Sequence, residues 1–132
     1  MAKKKKTRTL RVLIVDDNRD HCDTLVDVAG LYPDRYVVTT TQTLAEAAGK
    51  LNGGEFDVIL WDYALPDGTP FELMAKTRQQ FPNVRMIAKA NDHKKADRLM
   101  TAGCNIVVGP MMRPEDLLRC ISGRRIKRDI HV

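Results

Sequence analysis

Three carboxylates in this chain are placed as if to act together. The apolar run "VLIVDD" ends in Asp16 and Asp17, and "DVILWD" ends in Asp62. In an open parallel sheet, ligands bind beyond the carboxyl ends of the strands, near the point where strand order reverses, so residues just after each strand carry the chemistry. Neighbouring strands lie ~4.8 Å apart. If the two runs are neighbours, the three carboxylates share one small space and need neutralising. A hard divalent cation such as Mg²⁺ does this with oxygen ligands, leaving Asp62 able to attack a phosphoryl donor. Alone, Asp16 and Asp17 would read as a helix cap and Asp62 as the start of a turn, both common uses of aspartate. Their matching positions at two strand ends favour the joint reading.

The elements that must position them follow from apolar patterning. Short Val- and Ile-rich runs predict strands at Leu10 to Val15, Tyr36 to Thr40, Asp57 to Trp61, Val84 to Ala88 and Ile106 to Val108. Their near-continuous apolar character suits parallel strands covered on both faces. Helical spacing lies between them, as in Leu44, Ala47, Ala48 and Leu51. A first helix is predicted from about Arg19 to Ala29, with Asn18 as its N-cap and Gly30 ending it. Pro70 and Pro114 suit first helical positions. Five βα units in sequence make an α/β domain.

At 132 residues the chain has room for one domain. The reading is a basic tail over 1–9, a domain over 10–123 and a basic tail over 124–132. Its net charge of +5 belongs to the tails, because the segment between Arg11 and Arg119 carries more Asp and Glu than Lys and Arg. No apolar run is long enough to span a bilayer and no apolar segment of signal-peptide length follows the basic N-terminus, so a cytoplasmic location is expected. Cys22, Cys104 and Cys120 are odd in number and never paired as CxxC, which predicts free structural thiols.

"VLIVDDN" followed by "DVILWDYALPDG" resembles the receiver domain of bacterial two-component response regulators, over roughly Arg11 to Gly123. The resemblance implies a flavodoxin-like (βα)5 fold, a doubly wound parallel five-stranded sheet of order 2-1-3-4-5. It implies a signalling role, with Asp62 as phosphoacceptor and any chemistry limited to self-phosphorylation from a donor and autodephosphorylation. It further implies Mg²⁺ held by Asp16, Asp17, Asp62 and the backbone carbonyl of Ala64.

Three parts of that family's switch are missing. The Ser or Thr expected at the end of the fourth strand is Ala88 or Ala90, and no Ser or Thr occurs anywhere from Arg78 to Met100. The Lys expected after the fifth strand, before a Pro, is Gly109, and no Lys lies between Lys95 and Lys127. The aromatic of the fifth strand is Ile106. A charge-assisted hydrogen bond is worth ~1.5 to 3 kcal/mol and a neutral one ~1 kcal/mol. Losing both weakens a switch that needs ~5.5 kcal/mol to run from 1:99 to 99:1. The expectation is an atypical receiver with weak or absent phosphorylation-dependent switching. Lys89 and, less directly, Arg113 are the cations that could stand in for the missing Lys. His21, His93 and His131 fit no metal-ligand spacing and read as surface residues, and Trp61 reads as core or rim packing.

The expected mode of action is that of a stand-alone module, monomeric or weakly dimeric. It would act by protein contact, with a histidine kinase or another signalling protein, through a face from about His93 to Cys120. The alternative is a nucleic-acid-binding regulatory protein using its basic tails, although these lack interleaved aromatics. An aspartate-nucleophile phosphohydrolase would need a second Asp where Ala64 stands. A flavin-binding reading lacks the hydroxyl-rich phosphate loop after the first strand.

Overall fold

A computed structural model describes residues 8–123 and a short strand at Ile130–His131. The expected tails therefore lie outside the described residues, apart from Arg8, Thr9 and that strand. The elements run β1 (Leu10–Val15), α1 (Arg19–Ala29), β2 (Tyr36–Thr41), α2 (Leu44–Gly53), β3 (Val58–Asp62), α3 (Phe71–Gln80), β4 (Arg85–Lys89), α4 (His93–Thr101), β5 (Ile106–Val108), α5 (Pro114–Ile121) and β6 (Ile130–His131). The sheet is parallel throughout, in the order β2-β1-β3-β4-β5-β6. The five expected strands thus stand in the expected order, and β6 adds a short sixth that pairs with the outer edge of β5.

Alternation along the strands divides the core in two. Leu13, Val15, Ile59, Trp61, Met86, Ala88 and Val107 face one way, packing with Ala47, Leu51, Met74, Ala96 and Leu99 of α2, α3 and α4. Val12, Ile14, Val58, Leu60, Ile87, Ile106 and Val108 face the other, against Cys22, Leu25 and Ala29 of α1 and Leu117, Cys120 and Ile121 of α5. Both layers are closed, which is why these strands can be apolar at nearly every position. All three cysteines are free and buried, as expected of structural thiols.

Local signals account for the helix limits. Asn18 caps α1 by accepting from the His21 amide at 3.2 Å, and Thr43 and Asp92 cap α2 and α4 in the same way. Pro114 opens α5 as its first residue, whereas Pro70 stands one position earlier, as the N-cap of α3, without a side-chain cap bond. Gly30 does end α1, but in a right-handed helical conformation (φ −63°), so its conformational freedom is not what stops the helix. At the other end of the sheet Asp57 receives the Arg11 amide at 2.8 Å and pairs with the Arg8 and Arg11 side chains. Burial opposes its ionisation, yet these partners hold its carboxyl below the usual range.

The segment after β3 is held by a separate device. Leu65 and Gly68 exchange backbone hydrogen bonds at 3.0 and 3.1 Å, closing a tight turn that Gly68 permits at φ +133°. Asp67 in that turn accepts from the Leu44 and Ala45 amides at 2.9 and 3.0 Å, at the otherwise unpaired start of α2. The loop leaving Asp62 is thereby tied to a neighbouring helix.

Candidate functional site

The register places the three carboxylates at one end of the sheet. β1 and β3 are adjacent, with Ile14 beside Leu60 and Val15 beside Trp61. On β4, Ile87 lies beside Leu60 and Lys89 beside Asp62; on β5, Val108 lies beside Lys89. Two residues past Ile14, on the α1/α5 side, alternation therefore produces a transverse row of Asp16, Asp62, Lys89 and Val108. Asp17, one step further along the first strand, is exposed at the rim. One oxygen from each of Asp16, Asp17 and Asp62 lies within 4.8 Å of the others. These are hard oxygen donors of high negative charge, a set that fits a hydrated divalent cation such as Mg²⁺.

They open onto a cleft of about 290 Å³ that Ala64, Lys89 and Ala90 also line. Within it the two inner aspartates differ in their surroundings. Asp16 is 1% exposed, and burial alone would raise its pKa. A hydrogen bond from the Lys89 ammonium, the Asn18 amide at 2.9 Å and the Lys89 charge outweigh burial and hold the carboxyl below its usual range. Asp62 is half-buried and less well supported. Burial and the neighbouring Asp16 charge push it up to about 6, with Lys89 and the Tyr63 amide only partly opposing them. A divalent cation shared by the three groups would reverse that balance, which is the chemistry such an ion would supply here.

The two cations named from sequence separate clearly. Lys89 is ion-paired to Asp16, its side chain only 12% exposed. Arg113, the N-cap of α5, is 76% exposed and pairs with Asp116 in the first turn of that helix at 3.2 Å. At the end of β5, Gly109 accepts from the Met112 amide at 3.2 Å and brings no charge to the row. Ile106 is buried beside Ile87. Of the two alanines, Ala90 lines the cleft, and its amide donates to the Val108 carbonyl at 3.0 Å. Ala88 is fully buried beside Trp61, whose indole fills the α2/α3/α4 side of the core. Trp61 is thus core packing; its Nε1 is buried with no hydrogen-bond partner among the described residues.

Two contacts were not legible in the sequence. His21 is exposed, as expected of a surface residue, and its Nδ1 lies 3.8 Å from Asp16, at the edge of the site. Tyr63, next to Asp62, is clasped by α4: its hydroxyl accepts from Arg98 at 3.0 Å and the Lys95 ammonium sits 5.1 Å from its ring centre. The i, i+3 spacing of Lys95 and Arg98 puts both on one helical face, which was the available signal.

Comparison with known proteins agrees with this architecture. The family model for the response regulator receiver domain matches residues 12–122. The chain is 28% identical over 102 residues to the DNA-binding transcriptional activator DevR/DosR of Mycobacterium tuberculosis, covering 75% of this chain and 47% of that protein. It is 27% identical over 113 residues to the response regulator SaeR of Staphylococcus epidermidis, covering 82% of this chain and again 47% of the relative. The chain therefore spans about half the length of the curated relatives it matches. Among solved structures, a CheY-like receiver domain protein from Methanospirillum hungatei superposes with a TM-score of 0.80 at 25% identity, covering 88% of this chain and 93% of that one. The chemotaxis response regulator CheY4 of Vibrio cholerae has the same fold, with a TM-score of 0.77 at 24% identity and coverage of 87% and 98%. A matched family model over nearly the whole described domain, on the expected sheet order and with the carboxylates gathered at one sheet end, establishes that this chain belongs to the response regulator receiver domain family.

Proposed function

We propose that this receiver domain accepts a phosphoryl group on Asp62 with Mg²⁺ held by Asp16, Asp17, Asp62 and the Ala64 carbonyl, and that phosphorylation switches it weakly or not at all. The observation that carries the first half is the approach of three carboxylate oxygens to within 4.8 Å of one another. Support for the second half is the chemistry absent around them. Ala90, the alanine that lines the cleft, offers no hydroxyl, Ile106 is aliphatic, and Gly109 has no side chain to follow a new phosphoryl group. The output is then protein contact through the surface from His93 to Cys120. Basic segments at 1–9 and 124–132 flank the domain, and nucleic-acid contact through them is the second reading, resting on charge.

Mass spectrometry after incubation with Mg²⁺ and acetyl phosphate tests the acceptor. One phosphoryl group is expected on the wild type and none on Asp62→Asn. Amide hydrogen exchange on the same samples tests the switch: a large, Asp62-dependent change across α4, β5 and α5 would overturn weak switching. A salt-sensitive mobility shift lost on deleting residues 1–9 would favour the second reading.

A further inference from the structure

We propose that Lys89 is the site's own tethered cation, which holds Asp16 until a divalent metal displaces it and then serves the phosphoryl oxygens on Asp62. The inference deepens the phosphoacceptor reading above and rests on it for its second step only.

The geometry follows from strand alternation. Lys89 is the last residue of β4 and stands directly beside Asp62, in the same transverse row as Asp16 and Asp62. Its side chain leaves the sheet on the α1/α5 side, where its neighbour in the row on β5 is Val108, and its ammonium ends on the Asp16 carboxylate. That carboxylate is 2% exposed at its side chain, so little water screens the pair. Arg113 is committed to Asp116 at the surface, and Gly109 contributes no cation from the strand beyond. A smaller cavity of about 150 Å³ between α1 and α5, beneath Pro110, also reaches Asp16 and Lys89, giving the lysine stem room to change rotamer.

Lys89 and a divalent ion therefore draw on the same oxygen. A metal ligated by Asp16 must separate the ammonium from it, so Lys89 acts as an internal competitor that a doubly charged ion has to displace. Once released, the ammonium remains beside Asp62 by virtue of its strand position. In phosphoryl transfer from acetyl phosphate, an Asp62 oxygen forms a bond to phosphorus, the phosphorus–oxygen bond to the acetyl group breaks, and acetate leaves with the electron pair. The reaction leaves the negative phosphoryl oxygens on Asp62, where a freed ammonium one strand away can meet them. A cation supplied from β4 is short of one property: it does not link the phosphoryl group to the strand that leads into α5, so it supports chemistry without restoring the switch.

The test uses Mg²⁺ titration of the full chain, followed by the fluorescence of Trp61, the chain's single tryptophan, and by amide shifts of residues 62–64. Lys89→Met keeps the unbranched stem of the side chain and removes its charge. It should bind Mg²⁺ about tenfold more tightly than wild type, and Lys89→Arg, which keeps the charge, should stay within about twofold. At saturating Mg²⁺, Lys89→Met should take up phosphate from acetyl phosphate about tenfold more slowly or worse, with partial recovery in Lys89→Arg. Equal or weaker Mg²⁺ binding by Lys89→Met overturns the competition, and an undiminished rate in the loaded variant overturns the phosphoryl role. If no variant and not the wild type takes up phosphate, the acceptor reading falls, while the titration still decides whether Lys89 competes for Asp16.

Discussion

The carboxyl ends of β1, β3 and β4 and the end of β5 lie on one edge of the same sheet, yet they differ in kind. The first three deliver Asp16, Asp62 and Lys89 to a single row. The last delivers Val108 to that row and continues through Gly109 and Pro110, with no ionisable side chain until Arg113. A single domain thus keeps a charged, internally compensated half-site beside an inert one. The lesson is that compensation of a buried carboxylate depends on row and face: Lys89 reaches Asp16 from the far side of β3 because both side chains leave the sheet in the same direction.

Inverting the charge in the row should have the largest effect. Lys89→Glu sets three carboxylates side by side with no cation in their row, and should destabilise the metal-free protein by about 3 kcal/mol or more at pH 7. Urea unfolding with a chelator measures it, and adding Mg²⁺ should recover part of the loss.

Asp62→Asn should act in the opposite sense on stability. Its folded pKa of about 6 lies above the ordinary 3.8, so below pH 4 the group is protonated in both folded and unfolded chains and its ionisation costs nothing. Between pH 4 and 6 the unfolded chain releases the proton first, and above about 6 the whole penalty applies. Asparagine removes it. The gain expected at pH 7 without metal is about 1 to 2 kcal/mol, after allowing for solvent screening of a half-buried group, and it should vanish near pH 4. Unfolding curves for both proteins at the two pH values give the answer.

Restoring a cation to the inert half sharpens the contrast. Gly109→Lys should weaken Mg²⁺ binding by about threefold to tenfold in the same titration, because a second ammonium then draws on the same carboxylates. The smallest effect belongs to Arg113→Ala. Its exposed pair with Asp116 should contribute less than about 0.5 kcal/mol, and Mg²⁺ affinity should not move.

Much of this was legible in residue order. Asn18 before an amphipathic run marks α1, and the five apolar runs mark five strands to within a residue or so, because capping and alternation are local. The termini of β3 and β4 each lie one residue later than patterning indicated, so Asp62 and Lys89 belong to their strands and do not merely follow them. That single step decides which face each side chain takes. Ala88 is explained by what lies across the strand pair: Trp61 occupies the volume on that side, so a small residue fits beside it. The clasp of Tyr63 by Lys95 and Arg98 spans more than thirty residues of sequence, and the Asp67 bonds to the start of α2 span more than twenty. The shared helical face of Lys95 and Arg98 is a local pattern, but that this face meets Tyr63, and that Asp67 reaches α2, is not.

Residue type and short-range spacing suffice for the α/β class, the parallel strands, the three strand-end carboxylates and the lack of a hydroxyl and of a fifth-strand lysine. That Lys89, and not Arg113, faces the carboxylates and takes Asp16 is an outcome of the folded chain. That choice depends on the register of three paired strands and on which helices cover each face, and a one-residue slip would send the same lysine to the opposite side of the sheet.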